Sequence, residues 1–395
     1  MRLGDLCRIQ SGGTPARQQT ANFSGAIPWV KIGDMLQGKI RSTEECLSEA
    51  GIRGSSAKIL PAGTVLISIF ATIGRTAVLE IDAATNQAIA GLTPNDPEKL
   101  NPLFLRRFLD STVSDLEKRA RGVAQVNINL SILKSIEIPL PNICEQERIL
   151  GILDQVDALR EKRRKSIALL DDLAQSIFLD MFEGQGSADK TIPLGSLAEV
   201  ASGITKGRRV ATNVPLRNVP YLAVANVQDK RLNLDAIKRI DATESEIERY
   251  RLMPDDLLLT EGGDPDKLGR GTLWRSELRE CIHQNHIFRV RLRDNLTVRP
   301  TYLNWVISSE RGRRYFLRSA KQTTGIASIN ATQLRSFPVP IAPIAQQRLF
   351  EDRIRAIDRC KRHHDAAGLH LDTLFSSIQS RAFRGELWQD DLKDL

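Results

Sequence analysis

Residues 138–159 read IPLPNICEQERILGILDQVDAL, and residues 339–360 read VPIAPIAQQRLFEDRIRAIDRC. Each stretch opens on a proline-bounded turn, Ile138–Pro141 in the first and Val339–Pro343 in the second, and then turns into apolar residues three and four apart. Proline cannot continue a helix backwards, so both helix starts are sharply set. The pattern predicts long helices over about 145–182 and 346–384, with Gly184 and Gly385 as natural stops. A helix of about 37 residues is roughly 55 Å long, more than one globule needs.

The first helix carries its apolar seam on Ile149, Ile152, Val156, Leu159, Leu170, Leu173 and Ile177. The second carries Phe350, Ile354, Ile357, Leu371, Phe375 and Ile378. A seam of this period predicts a coiled coil. Both seams turn polar at mid-length, at Arg163–Ser166 and Lys361–His364. In an antiparallel pair these middles would meet and could fix the register. The basic run Arg160, Lys162, Arg163, Arg164, Lys165 reads as a solvated or protein-facing surface, as charge runs on helices usually are.

Working outward, the rest of the chain repeats as the helices do. Leu3-Gly4-Asp5-Leu6 returns as Leu194-Gly195-Ser196-Leu197, and Ser11-Gly12 as Ser202-Gly203. Ile27-Pro28-Trp29-Val30 returns as Val219-Pro220-Tyr221-Leu222, and Ile73-Gly74-Arg75 as Leu268-Gly269-Arg270. Ile128-Asn129 returns as Ile329-Asn330, Gln146-Glu147-Arg148 as Gln346-Gln347-Arg348, and Phe182 as Phe383. Each match is loose; their shared order indicates a duplication. Short apolar runs such as 64–70 and 256–260, punctuated by Gly and Pro, read as buried strands. Helices are expected over Pro102–Lys118 and Pro300–Leu317, each opening on proline.

The expected architecture is therefore α+β with an internal pseudo-twofold repeat. Two similar mixed domains, 1–141 and 186–343, are separated by long helices, 142–185 and 344–390, that form an antiparallel coiled coil.

The chain has 395 residues, 41% hydrophobic and 26% charged, enough apolar material for two cores. Lys and Arg number 56 against 48 Asp and Glu, a net charge of +8 that favours a polyanionic partner. Cys7, Cys46, Cys144, Cys281 and Cys360 are scattered, without metal-ligand spacing, which argues against a disulfide framework or a zinc site. The opening MRLGDLCRIQ is not a signal peptide, and no stretch reaches 18 apolar residues, so a cytoplasmic protein is expected.

Catalytic motifs are missing. There is no Asn-Pro-Pro-Tyr-type methyltransferase loop, Walker A, GxSxG or HExxH. Asp255, Asp256 and Glu261 resemble part of a nuclease core, but Gly262-Gly263 stand where its lysine would be. His283, His286 and Cys281 share one strand-like run, whose alternating side chains cannot all face one ion.

The plan of mixed domain, long helix, mixed domain, long helix resembles the specificity subunit of type I restriction–modification enzymes. The resemblance rests on Leu3-Gly4-Asp5 with Ser11-Gly12-Gly13-Thr14-Pro15, on Ile27-Pro28-Trp29-Val30, on Gly63–Ser68, and on Asn86-Gln87. It continues through Gln125-Val126-Asn127-Ile128-Asn129, Ile138–Pro141 and Glu145-Gln146, and it covers essentially the whole chain. It implies that the mixed parts are target recognition domains, each reading half of a split, asymmetric site on double-stranded DNA. It implies that the helices set the unread gap and receive methyltransferase subunits, two of them, through which restriction subunits join. S-adenosylmethionine, ATP and magnesium would then belong to those partners, and this chain would hold no cofactor, metal or catalytic residue. The alternative is a coiled-coil scaffold whose two domains bind something other than DNA.

Base reading needs the forked donors and acceptors of Arg, Asn and Gln, and phosphate anchoring needs Lys, Arg, hydroxyls and backbone amides. In the first domain the candidates are Arg17, Lys31, Arg75, Asn86, Gln87, Gln125 and Asn127. In the second they are Lys206, Arg208, Arg209, Arg270, Gln284, Asn285, Lys321, Gln322 and Thr323, and the glycine-flanked run 202–209 is the most basic loop of the chain. Asn129 and Asn330 are candidates of a lesser kind, equally suited to capping turns.

Overall fold

The computed structural model describes residues 1–70, 72–120, 128–183, 190–209, 214–263, 268–323 and 326–386. The chain forms two compact units, one of Met1–Lys165 with His364–Leu395, the other of Ser166–His363. Each unit therefore contains half of both long helices.

In the first unit the strands are β1 (Cys7–Ser11), β2 (Ile27–Val30), β3 (Lys39–Ile40), β4 (Glu45–Leu47), β5 (Ile59–Leu60), β6 (Val65–Ser68), β7 (Thr76–Leu79), β8 (Ala83–Thr85) and β9 (Ile89–Pro94). They make two sheets, ordered β1-β9-β6-β7-β3 and β4-β2-β8-β5. The inner strands β6 and β7 are buried along their whole length, which explains an unbroken apolar run rather than alternation. The first sheet packs against α1 (Pro102–Ala120), whose Phe104, Leu105, Phe108 and Leu109 enter the same core as Val65, Ile67 and Leu92.

The second unit repeats this plan with β10 (Ala198–Ser202), β11 (Arg217–Leu222), β12 (Lys238–Ala242), β13 (Leu257–Thr260), β14 (Gly271–Leu273), β15 (Ile282–His283) and β16 (Ile287–Leu292). Its sheets run β10-β16-β13-β14 and β12-β11-β15. The order follows that of the first unit without counterparts of its edge strands β3 and β5, and the parallel pair β11/β15 answers β2/β8. The helix expected over Pro300–Leu317 is broken into α2 (Pro300–Ser308) and α3 (Glu310–Ser319). Ser309 between them is extended, and its hydroxyl accepts from the Gly312 amide, so a fresh N-cap restarts the helix.

The long helices run Ile143–Phe182 and Ile344–Phe383, 40 residues each. Both begin about one half-turn earlier than the sequence pattern predicts, and the Asn142 side chain caps the first by accepting from the Glu145 amide at 2.9 Å. In the first unit Ile149, Leu150 and Leu153 share a core with Ala382, and Arg160 donates to Asp372 at 2.7 Å. In the second unit Asp171 pairs with Lys361, and Arg353 donates to the Met181 sulfur. As numbers rise along one helix the partners fall along the other, so within each unit the two halves pack antiparallel.

The seam differs in detail from its expected form. Ile149, Val156, Phe350, Ile354 and Ile357 are buried, and Leu170, Ile177, Leu371, Phe375 and Ile378 are half-buried. Ile152, Leu159 and Leu173 are exposed instead, and Leu150, Leu153, Ala174 and Phe178 are buried. The first helix is apolar on more than one face, so periodicity leaves the inward face ambiguous by about one residue. The repeat register is also 201 rather than the 200 of the Arg148–Arg348 match, because Gln146 answers Gln347 in its contacts. No helix among the described residues is long and apolar enough to cross a membrane.

Candidate nucleic-acid interface

The loop after β1 lies on the turn after β8. Gly12 donates to the Ile89 carbonyl at 3.0 Å and Gly13 to the Thr85 carbonyl at 2.9 Å. A Cβ on Gly12 would collide with the Thr85 carbonyl, so only glycine allows this approach. The contact brings Thr14 against Gln87, whose side chains hydrogen-bond. The Trp29 indole N–H donates to the Gly13 carbonyl at 3.1 Å and fastens the loop to β2. Arg17 lies over the Phe23 and Trp29 rings, its guanidinium carbon 4.9 and 5.1 Å from their centroids, and donates to Glu45 at 2.9 Å.

The second unit builds the same platform. Ile204 donates to the His283 carbonyl at 2.8 Å, and a Cβ on Gly203 would collide with that carbonyl. Gln284 and Asn285 form the turn beneath, where Asn86 and Gln87 stand in the first unit, and each turn amide bonds the end of the neighbouring strand: Asn86 to Val30 at 3.1 Å, Gln284 to Leu222 at 3.0 Å. At the edge, Glu261 pairs with His286 at 2.6 Å.

The structure places the sequence-derived candidates in several settings. Arg17, Gln87, Lys206 and Arg209 are exposed on these platforms, with Asn86, Gln284 and Asn285 half-buried beside them. Lys31, Arg75 and Arg208 are committed to the fold. Lys31 bonds Glu45 at 2.8 Å and Glu44 at 3.2 Å, and the Glu45 bond holds its ammonium above the usual range. Arg75 donates to the Ile32 carbonyl at 3.2 Å. Arg208 gives Nε and Nη2 to Glu246, which pulls that carboxyl down to about 2. Arg270 is half-buried, and its side chain makes no hydrogen bond among the described residues. Lys321, Gln322 and Thr323 form a short strand paired with Ile326–Ser328, which pairs in turn with Gly262–Gly263. Gln125 and Asn127 lie outside the described residues. Asn129 and Asn330 are helix N-caps, accepting from Ile132 and Gln333 at 2.8 and 2.9 Å.

Sequence reasoning quoted Gly12-Gly13-Thr14, as a stretch able to approach a phosphate, and Trp29, as a repeat residue, but gave neither side chain a site role, and it missed Glu45. The aromatic pair Trp29 and Tyr221 in the repeat was the signal for Trp29; the reach of Glu45 to Arg17 across 28 residues has no local signal. The acidic trio that resembles a nuclease core is dispersed: Asp256 is buried and clamped by Arg291 at 2.7 Å, Asp255 pairs with Arg275, and Glu261 pairs with His286. Among the described residues no group of three His, Cys, Asp or Glu is placed to hold a metal.

His283 stands where the first unit has Thr85, and the two residues share a property. Both are fully buried, and Thr85 Oγ1 and His283 Nε2 have no hydrogen-bond partner among the described residues. His283 Nδ1 bonds the Ile287 carbonyl at 2.9 Å. Burial, opposed by that bond and helped by Arg289 and Arg291, pushes the imidazole down to about 4. A group depressed on folding contributes stability that is complete above its unfolded value near 6.5 and is lost as pH falls toward 4. Stability of the second unit is expected to drop by about 2 kcal/mol between pH 7 and pH 5 from this group. Urea unfolding at the two pH values checks this: His283→Thr should be weaker at pH 7 but lose that share of the pH dependence. An unchanged slope would show that His283 is not held neutral.

Residues 1–169 match the family described as type I restriction modification DNA specificity domain. The EcoR124I/EcoR124II specificity subunit of Escherichia coli is 31% identical over 164 residues, 40% of each chain. The EcoKI specificity subunit of Escherichia coli K12 is 23% identical over an alignment of 97% of this chain and 88% of that one. The match thus spans well under half the length of the first relative and most of the second. A solved chain from work on assembly and conformational transition of the type I R-M system superposes with a TM-score of 0.59 over 98% of this chain and 97% of that one; at 20% identity it is a likeness of fold.

Proposed function

Because the chain belongs to the type I restriction–modification DNA specificity family, we propose that it is the subunit that chooses the DNA sequence, reading a split site with domains 1–141 and 186–343 while catalysis belongs to its partners. The observation that carries this reading is the platform built twice on one backbone plan with different polar side chains: Thr14, Arg17 and Gln87 in one unit, Lys206, Arg209 and Asn285 in the other. Similar backbone plans bring each loop to the duplex alike, and unlike side chains make the half-sites differ. The net positive charge suits the phosphate backbone.

The long helices act as the spacer, pairing as an antiparallel coiled coil that fixes the unread gap. Forty residues at 1.5 Å each give roughly 60 Å, about one and three-quarter turns of duplex. They also receive the methyltransferase subunits, and restriction subunits join through these. Exposed Ile152, Leu159, Leu169 and Leu173 on the first helix, with Leu369 and Leu374 on the second, support a protein-covered surface. S-adenosylmethionine, ATP and magnesium are used by those partners.

The test is methylome sequencing of cells with and without this chain. One bipartite mark should vanish with the chain, and exchanging residues 1–141 for another recognition domain should rewrite one half-site only. A scaffold that does not read DNA would leave the methylome unchanged.

A further inference from the structure

Arg17 and Arg208 occupy the same place in the repeat, each five residues beyond the platform glycine, Gly12 or Gly203. Their forks are used in opposite ways. Arg208 spends Nε and Nη2 on the Glu246 carboxylate, and Nη2 also reaches the Asp241 carbonyl at 3.0 Å. Its side chain is 19% exposed, and the two-donor edge of the guanidinium is closed. Arg17 is 56% exposed and donates only through Nη1, to Glu45. Its Nε and Nη2 make no hydrogen bond among the described residues.

Arg17 is also held in plane. Its guanidinium lies over Phe23 and Trp29, whose rings are themselves 5.7 Å apart and steeply inclined. Trp29 is tied to the loop through the Gly13 carbonyl. Glu45 is anchored in turn by Lys31, so the carboxylate that steadies Arg17 is fixed on its other side. Two rings and one carboxylate therefore set the orientation of an open edge carrying two nearly parallel donors.

We propose that Arg17 is the base-reading fork of the first recognition domain and that its ligand is the major-groove edge of a guanine. Guanine presents N7 and O6 as two acceptors in one plane, the partner that an Arg edge matches bidentately. A phosphate would accept the same edge but gains little from a fixed plane, and it carries no sequence information. In the second domain the equivalent fork is internal, so reading there passes to other side chains, and the half-sites differ in kind as well as in letters. The inference rests on the reading of this chain as a DNA specificity subunit.

The experiment is methylation of a DNA library randomised in the first half-site by the complete complex carrying Arg17→Ala, Arg17→Gln or Arg17→Lys, with Arg208→Ala alongside and the melting temperature of each variant recorded. One G·C position should lose its preference with Arg17→Ala and Arg17→Gln, by roughly 5- to 150-fold, the worth of one bidentate pair. The other half-site should be unaltered, and Arg208→Ala should leave the motif as it is. Uniformly weaker methylation with an unchanged motif would identify a phosphate contact and overturn the proposal. Loss of all methylation by the Gln variant at an unchanged melting temperature would also count against it. A wild-type complex with no split motif would instead refute the specificity-subunit reading itself, so the two failures are distinguishable.

Discussion

Replacing Phe350 by alanine is expected to destabilise the second unit by about 3–5 kcal/mol, the usual cost of emptying a fully buried aromatic site. Phe350 has no exposed surface. Its ring stands 5.7 Å from Phe178, 5.3 Å from Phe182 and 5.6 Å from Trp305, and Phe182 continues to Tyr302 at 4.8 Å. These rings come from both long helices and from α2, so one side chain joins three elements. Truncation forfeits several ring pairs at once, each worth about 0.5–1.5 kcal/mol beyond area burial. Phe350→Leu should recover most of the lost volume and cost less than half as much. Urea unfolding followed by Trp fluorescence would check this, since Trp305 belongs to the cluster. A loss below about 1 kcal/mol for the alanine variant would mean that the site collapses freely and that the ring is no anchor.

The second large effect is expected at Gln146. Its side chain is buried at the start of the first long helix, accepts from the Asn101 amide at 2.9 Å, and donates to the Lys99 and Pro141 carbonyls at 2.8 and 2.9 Å. One amide thus satisfies three backbone groups where a strand-to-helix connection meets a helix start. Gln146→Ala leaves all three without partners, and each buried polar group stranded in this way costs about 1–3 kcal/mol. A loss near 4 kcal/mol in the first unit is expected by equilibrium denaturation. Gln347 repeats the arrangement with the Arg299 amide and the Thr297 and Ala342 carbonyls, so Gln347→Ala should cost a similar amount in the second unit. Glutamate should rescue neither, because a carboxylate cannot donate to two carbonyls. If either alanine variant were as stable as wild type, water would have to replace the amide at no cost.

These two positions show what sequence could and could not reveal. The expected duplication rests on matches that keep their order along the chain, and the helix starts were legible because Pro141 and Pro343 forbid any earlier helix. The common strand order of the two units agrees with that reading. Gln146 was visible as a letter but not as a clamp, since its three partners lie 5 to 47 residues away. The inward face of the first helix slipped by about one residue, because Ile152, Leu153 and Leu159 are equally apolar on paper and only the docked domain distinguishes them. Within the candidate interface, a basic residue and its acidic mate are joined by tertiary structure: Arg208 and Glu246 are 38 residues apart. Composition counts the arginine as available to DNA; the fold has already spent it.

The composition of the compact units has a consequence for biosynthesis. Residues 166–363 are continuous, so a ribosome delivers that unit whole and it can close while synthesis continues. The other unit starts before it yet waits for it, because Ala382 and Phe383, which seat among Leu153, Phe104 and Phe108, emerge only after the whole of residues 166–363. During that delay its apolar seat stands open to chaperones and proteases, and a transcript truncated before codon 382 would leave it open permanently.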